Sequence, residues 1–186
     1  VGHLVFSSVA NADKETGIPH FDSKFQVEQA IKSLDIPYSI LAPVFFMENH
    51  LAPWSTPALK EGKLSMALPE SKPLQQISVQ NIGEFAVALI ERRESVFGKR
   101  FNIAGDELTG SESAIALSNA IGKKVAYEGF DPAYTREQSE DLYLMFKWFD
   151  DVGYSADIQV LRNEFPEVNW QTVAQWSQTI PWNVVL

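Results

Sequence analysis

His20 and Lys24 stand one helical turn apart in the stretch His20-Phe21-Asp22-Ser23-Lys24-Phe25-Gln26-Val27-Glu28, and between them they offer a proton and a fixed positive charge. A histidine with an unperturbed pKa of ~6.5 donates or accepts a proton near neutral pH. A lysine supplies hydrogen bonds to sugar hydroxyls and a field that favours phosphate or a developing oxyanion. Val27, Ala30, Ile31 and Leu34 follow the i, i+3, i+4, i+7 rule and predict the buried stripe of this helix. On a 3.6-residue wheel His20 falls within about 20° of Val27 and Lys24 within about 60°. Both therefore lie on or beside the predicted buried side, where an ordinary surface helix keeps no lysine, and Glu28 continues their row at the polar margin. A snorkelling lysine and a satisfied core histidine would be the bland explanation.

The flanking segments argue against it. Val1 and Leu4-Val5-Phe6 form a short, continuously apolar run, the signature of a strand buried on both faces of a parallel sheet, and Ser7-Ser8 ends it. Asp35-Ile36-Pro37 stops the helix, and Tyr38-Ser39-Ile40-Leu41-Ala42 reads as a second strand closed by Pro43. Strand, helix and strand with short connections predict a βαβ unit with parallel strands and a right-handed crossover. The start of such a helix lies beside the C-terminal ends of both strands. Ser7, Ser8, His20, Lys24 and Pro43 to Asn49 thus meet at the edge where open α/β sheets bind ligands. Phe45 and Phe46 would give a flat apolar wall there. The set suits the nicotinamide–ribose half of a dinucleotide better than a serine hydrolase, because no G-x-S-x-G is present.

Further along, Lys63 to Leu68 and Gln76 to Val79 read as extended segments, and Phe45 to Leu51 as a short helix or a packed loop. Ser78 is a candidate N-cap for a helix with the stripe Ile82, Phe85, Ala86, Leu89, Ile90. Gly98 to Gly105 brackets another strand. Thr109-Gly110-Ser111 opens a helix through Ile115, Leu117, Ala120 and Ile121, ended by Gly122. Lys124 to Tyr127 reads as a short strand, Thr135 to Asp151 as a helix, and Ser155 to Phe165 and Trp170 to Trp176 as short terminal helices. The aromatic residues of this last third predict core or interface.

The composition of the 186 residues excludes several chemistries. There is no cysteine, so no disulfide, thiolate catalysis or cysteine metal site. His3, His20 and His50 lack metal-ligand spacing, and no metal is expected. The net charge of −9 argues against binding a nucleic acid backbone. Ten acidic residues between Glu128 and Glu167, against three basic ones, read as a solvated face. No apolar run approaches the ~18 residues of a membrane span, and no leader pattern is present, which makes the cytoplasm the expected location.

Leu4 to Ser8, His20 to Lys24 with Val27-Glu28, Pro43 to Asn49, Ser78 to Gly83 and Gly98 to Ile103 together resemble the NmrA-like family of atypical short-chain dehydrogenases/reductases, and the likeness runs through most of the chain. The resemblance implies an α/β fold: part of a Rossmann-type parallel sheet with flanking helices, plus a smaller C-terminal lobe. Residues 1–52, with 74–106 contributing, would be the C-terminal part of the NAD(P)-binding domain. Residues 53–73 and 107–186 would form the substrate-side lobe. Lys24 would be the lysine of the family's Tyr-x-x-x-Lys pair and hold the nicotinamide ribose, with His20 in the tyrosine's place as the second catalytic candidate. Ser7, Pro43, Phe45, Phe46, Met47, Glu48 and Asn49 would line the cofactor, NADP or NAD.

The family's glycine-rich G-x-x-G-x-x-G is absent, since the ten glycines never take that spacing after a strand. The likeness therefore implies the C-terminal portion of such a protein, short of roughly a hundred residues of nucleotide-binding half. On that expectation one sheet edge lacks its neighbour, and the chain aggregates, pairs with a second copy through that edge, or stays associated with the missing half. Two functions follow from the resemblance: an NAD(P)H-dependent oxidoreductase of a small substrate, or a non-catalytic NADP(H) redox sensor acting through a regulatory protein. A structural or interaction module without cofactor is the third possibility.

Overall fold

The short apolar run Leu4–Ser7 (β1) and the six-residue Tyr38–Pro43 (β2) are parallel neighbours, paired from Leu4 with Tyr38 to Ser7 with Leu41. The computed structural model describes residues 1–186. Between the two strands runs helix α1, Pro19–Lys32, with its proline in the first turn, where the missing N–H has no partner to lose. The βαβ unit read from the sequence is therefore present. After β2 the chain forms β3 (Phe45–Phe46), a 3-10 turn over Met47–Leu51, α2 (Thr56–Lys60), β4 (Lys63–Met66) and β5 (Leu74–Ile77). Helix α3 (Val79–Arg92) starts where Ser78 Oγ accepts the Asn81 N–H, as its N-cap position predicts. Strands β6 (Arg100–Ile103) and β7 (Asp106–Leu108) lead into α4 (Gly110–Ile121), held at its start by a Thr109–Glu112 capping box and ended by Gly122 in the left-handed region. Strand β8 (Ala126–Gly129) and helices α5 (Glu140–Asp151), α6 (Ile158–Glu164), α7 (Val173–Gln178) and α8 (Trp182–Val185) complete the chain.

These strands form three small sheets. Order β1-β2-β6 is all parallel, β3-β5-β7 joins a parallel to an antiparallel pair, and β4-β8 is a parallel pair. Three apolar clusters fill the space around them. Leu41, Ile77, Phe85, Leu89 and Ile103 pack with Leu161 and Phe165, so α6 lies against the same core as α3 and β6 although it sits in the 107–186 stretch. Leu59, Leu64, Leu117, Val125, Trp176 and Trp182 make a second cluster. The third, Ile18, Phe21, Leu68, Leu74 and Phe149, ties the start of α1 to α5.

Several sequence expectations need correction. Helix α1 buries Phe21, Glu28 and Ile31, while Val27 and Leu34 are 42% and 53% exposed. Leu34 lies beyond the last turn, Ala30 is exposed too, and the buried row is Phe21, Glu28 and Ile31, with Glu28 held by Arg100 of β6. Ile90 of α3 and Ile115 of α4 also face outward, at 56% and 61%. The stretch after Pro43 pairs as β3 with Gln76 and Ile77 before its 3-10 turn. Helix α5 begins at Glu140, because Ser139 Oγ caps it by accepting the Leu142 N–H, and a separate 3-10 turn covers Pro132–Thr135.

Candidate functional site

Where β1 and β2 end and α1 begins, an open cleft of about 410 Å³ is bounded by Ser7, Ser8, Val9, His20, Phe21, Lys24, Pro43 to Phe46 and Asn49, with Met145 and Tyr154 closing it from the C-terminal part of the chain. Strand connectivity forces this convergence, since a crossover helix returns its N-terminus to the strand ends. Phe45 and Phe46 bring aromatic rings to the cleft and Met145, on α5, a further apolar contact. Of the sequence candidates, Ser7, His20, Lys24, Pro43, Phe45, Phe46 and Asn49 border this cleft. Met47 and Glu48 do not. Met47 is fully buried in the second apolar cluster. Glu48 accepts the Val79 N–H at 3.0 Å and the Trp176 indole N–H at 3.1 Å, holding the start of α3 to α7.

The two charged candidates differ in their partners. Lys24 is exposed, pairs with no carboxylate, and holds its ammonium 5.6 Å from the centre of the Phe6 ring. His20 is bound twice by Asp141. One carboxylate oxygen accepts its backbone N–H at 3.0 Å, and the other pairs with ring Nδ1. That leaves Nε2 as the ring nitrogen open to a ligand. The Phe21 ring stands edge-on to the imidazole, 4.7 Å between centres. Burial pushes the Tyr154 phenol upward, so it stays protonated at the floor of the cleft. Asp141 is a functional candidate that sequence reasoning missed, being counted with the solvated acidic face. Its neighbours fit that face: Glu140 pairs with Arg136 and Asp151 with Lys147 at i, i+4 spacing.

The model of the NmrA-like family matches residues 1–177. The chain belongs to the NmrA-like family. Among curated relatives of this NmrA-like chain, a (4-alkanoyl-5-oxo-2,5-dihydrofuran-3-yl)methyl phosphate reductase of Streptomyces griseus is 28% identical over 73% of this chain and 48% of its own length. The chain spans about half the length of such relatives. An NADPH-dependent quinone oxidoreductase from Escherichia coli superimposes with a TM-score of 0.75 at 23% identity, over 96% of this chain and 67% of that one. NmrA, a negative transcriptional regulator solved in complex with NADP, superimposes with a TM-score of 0.70 at 17% identity, over 97% and 64%. These likenesses show the Rossmann-type fold. No helix is long and apolar enough to cross a membrane.

Beneath the cleft, this NmrA-like chain buries a charged network. Ser8 Oγ donates to one oxygen of Glu28, whose side chain is fully buried, and Arg100 Nε donates to the other at 2.9 Å. Arg100 also donates to the Val9 carbonyl at 2.9 Å and to Asn102, which in turn reaches Asn11 at 3.3 Å. Asn11 takes the left-handed conformation, φ 61°, which an asparagine tolerates better than most residues. A buried carboxylate persists only when such donors surround it. The effect is to clamp the loop after β1, which carries the cleft residues, to α1 and β6.

Proposed function

We propose that the cleft holds the nicotinamide–ribose half of NADP(H) or NAD(H) and that the protein is an oxidoreductase acting on a small organic acceptor. The observation that carries this reading is the placing of His20 and Lys24, one turn apart, on the rim of one apolar-walled cleft at the strand ends. The residues fit the group. Lys24, with no carboxylate to satisfy it, is the donor for ribose hydroxyls, and its charge raises the local potential. Phe45 and Phe46 are the wall for a flat ring, and Ser7 and Asn49 offer short polar groups beside it. A bound reduced nicotinamide supplies hydride. The chain's part is to bind, to exclude water on the Phe45, Phe46 and Met145 side, and to hold a proton at His20. The reductases among its relatives and neighbours support the same class of reaction.

A second reading keeps the cofactor and drops the chemistry. His20 standing where the family resemblance puts a tyrosine favours a redox sensor that binds NADP(H) and signals through a regulatory protein. Steady-state NADPH oxidation by the full-length protein against a panel of quinones and aldehydes separates the two. Turnover that is lost in Lys24→Ala supports the reductase. NADPH binding by calorimetry without turnover on any acceptor overturns it in favour of the sensor. Absence of any NADP(H)-dependent rise in melting temperature overturns both.

A further inference from the structure

Asp141 reaches His20 across 121 residues of sequence and fixes it at two points, the backbone N–H and ring Nδ1. We propose that Asp141 is a positioning residue that locks the imidazole with Nδ1 engaged, so that Nε2–H is the proton passed to the acceptor's oxygen in the cleft. The inference rests on the reductase reading of the same site.

Four observations carry it. Asp141 sits in the first turn of α5, where a carboxylate complements the helix dipole, and Ser139 caps that turn. His20 sits in the first turn of α1 with Lys24 one turn on, and Asp141 is the carboxylate in contact with its ring. The other charges nearby are occupied or turned aside: Glu140 pairs with Arg136, and Asp22 accepts from Thr16 Oγ1 at 3.4 Å. The contact is also held from below. Phe21, 1% exposed, meets Trp148 of α5 with 6.2 Å between ring centres, and Met145, one turn beyond Asp141, borders the cleft. Helix α5 therefore delivers the carboxylate and part of the substrate wall on one face.

The step balances on these groups. With both ring nitrogens protonated, the Nε2–H bond breaks as an O–H bond forms on the acceptor, and a bound reduced nicotinamide would supply the hydride that completes its two-electron reduction. The ring is left neutral with its proton on Nδ1, against Asp141. At 44% side-chain exposure it regains the second proton from solvent.

Asp141→Asn keeps an oxygen for the backbone N–H and so preserves the fold. In the full-length protein with NADPH and the best quinone or aldehyde, this variant should lower kcat by about 10- to 100-fold, with KM for NADPH changed less than about twofold. Asp141→Glu should recover part of the loss, and Asp141→Asn should add nothing in a His20→Gln background. In 15N-edited spectra of the neutral ring, wild-type His20 should carry its proton on Nδ1 and the Asn variant should lose that preference. Unchanged kcat, additive losses with His20→Gln, or an unaltered Nδ1 signal would each overturn the proposal. A wild type without turnover overturns the reductase reading alone, and with it the proton transfer. The 15N signal still decides whether Asp141 holds the ring.

Discussion

Lys24 and Glu28 are neighbours one turn apart on α1, and the structure treats them in opposite ways. The ammonium is exposed with no carboxylate, whereas the carboxylate is wholly buried and held by Ser8 and Arg100. The turn that carries Lys24 borders the strand ends; the next lies against the sheet and meets an arginine from β6. The difference teaches how to tell a structural charge from a functional one here. Glu28 is satisfied by the fold, whereas Lys24 at the strand ends has no carboxylate partner within the chain, as the proposed ligand role requires.

Removing the buried partner should give the largest effect. Glu28→Ala leaves Arg100, only 14% exposed, with Asp13 at 3.5 Å as its one remaining carboxylate. The expected cost is about 3–5 kcal/mol, read as a lower urea midpoint at unchanged slope. A loss under about 1 kcal/mol would break the comparison, because a charge that cheap to strand cannot be a clamp. Lys24→Ala should do the reverse. Stability should move by less than ~0.5 kcal/mol, while NADPH affinity by calorimetry falls at least about tenfold. A destabilised Lys24 variant with normal affinity would put Lys24 in the structural class.

The adjacent serines repeat the contrast on a smaller scale. Ser8 is 6% exposed and donates to Glu28, and Ser7 is exposed on the cleft. Ser8→Ala should cost about 1–2 kcal/mol in the same urea experiment, and Ser7→Ala should fall within ~0.5 kcal/mol of wild type. Equal losses would mean that burial does not separate the two.

What the sequence made legible follows from chain connectivity and local caps. The βαβ unit, the N-caps at Ser78 and Thr109 and the meeting of Ser7, His20, Lys24 and Phe45 at one edge need only short-range rules. What stayed hidden depends on distant partners. Glu28 is buried by an arginine 72 residues on, and no helical-wheel argument contains Arg100. Arg100 and Asn102, alternating with Phe101 and Ile103 in β6, were the available signal of inward polar groups. Asp141 resembled its solvated neighbours, and its contact with His20, 121 residues away in sequence, is what sets it apart. Met47 and Glu48 were misplaced relative to the cleft because β3 gives way at once to a 3-10 turn that carries both inward.

The smallest expected effect comes from the two histidines that extend the comparison. His20 meets a carboxylate at the rim, but His50, 1% exposed, meets the neutral side-chain oxygen of Gln76 at 2.8 Å. Burial lowers the His50 pKa from its ordinary 6.5, so the folded chain keeps the ring neutral where the unfolded chain protonates it. Below 6.5 the unfolded state then binds more protons, and stability falls as pH falls, by at most about 1.4 kcal/mol per pH unit. Above 6.5 the contribution is complete. His50→Gln should therefore flatten the decline in melting temperature between about pH 7 and pH 5. Burial and Arg93 lower the His3 pKa as well, so His3→Gln serves as the matched control and should remove only its own share. If the His50 variant declined as steeply as wild type, the buried histidine would be titrating freely, and burial would no longer separate the interior His50 from the histidine at the rim.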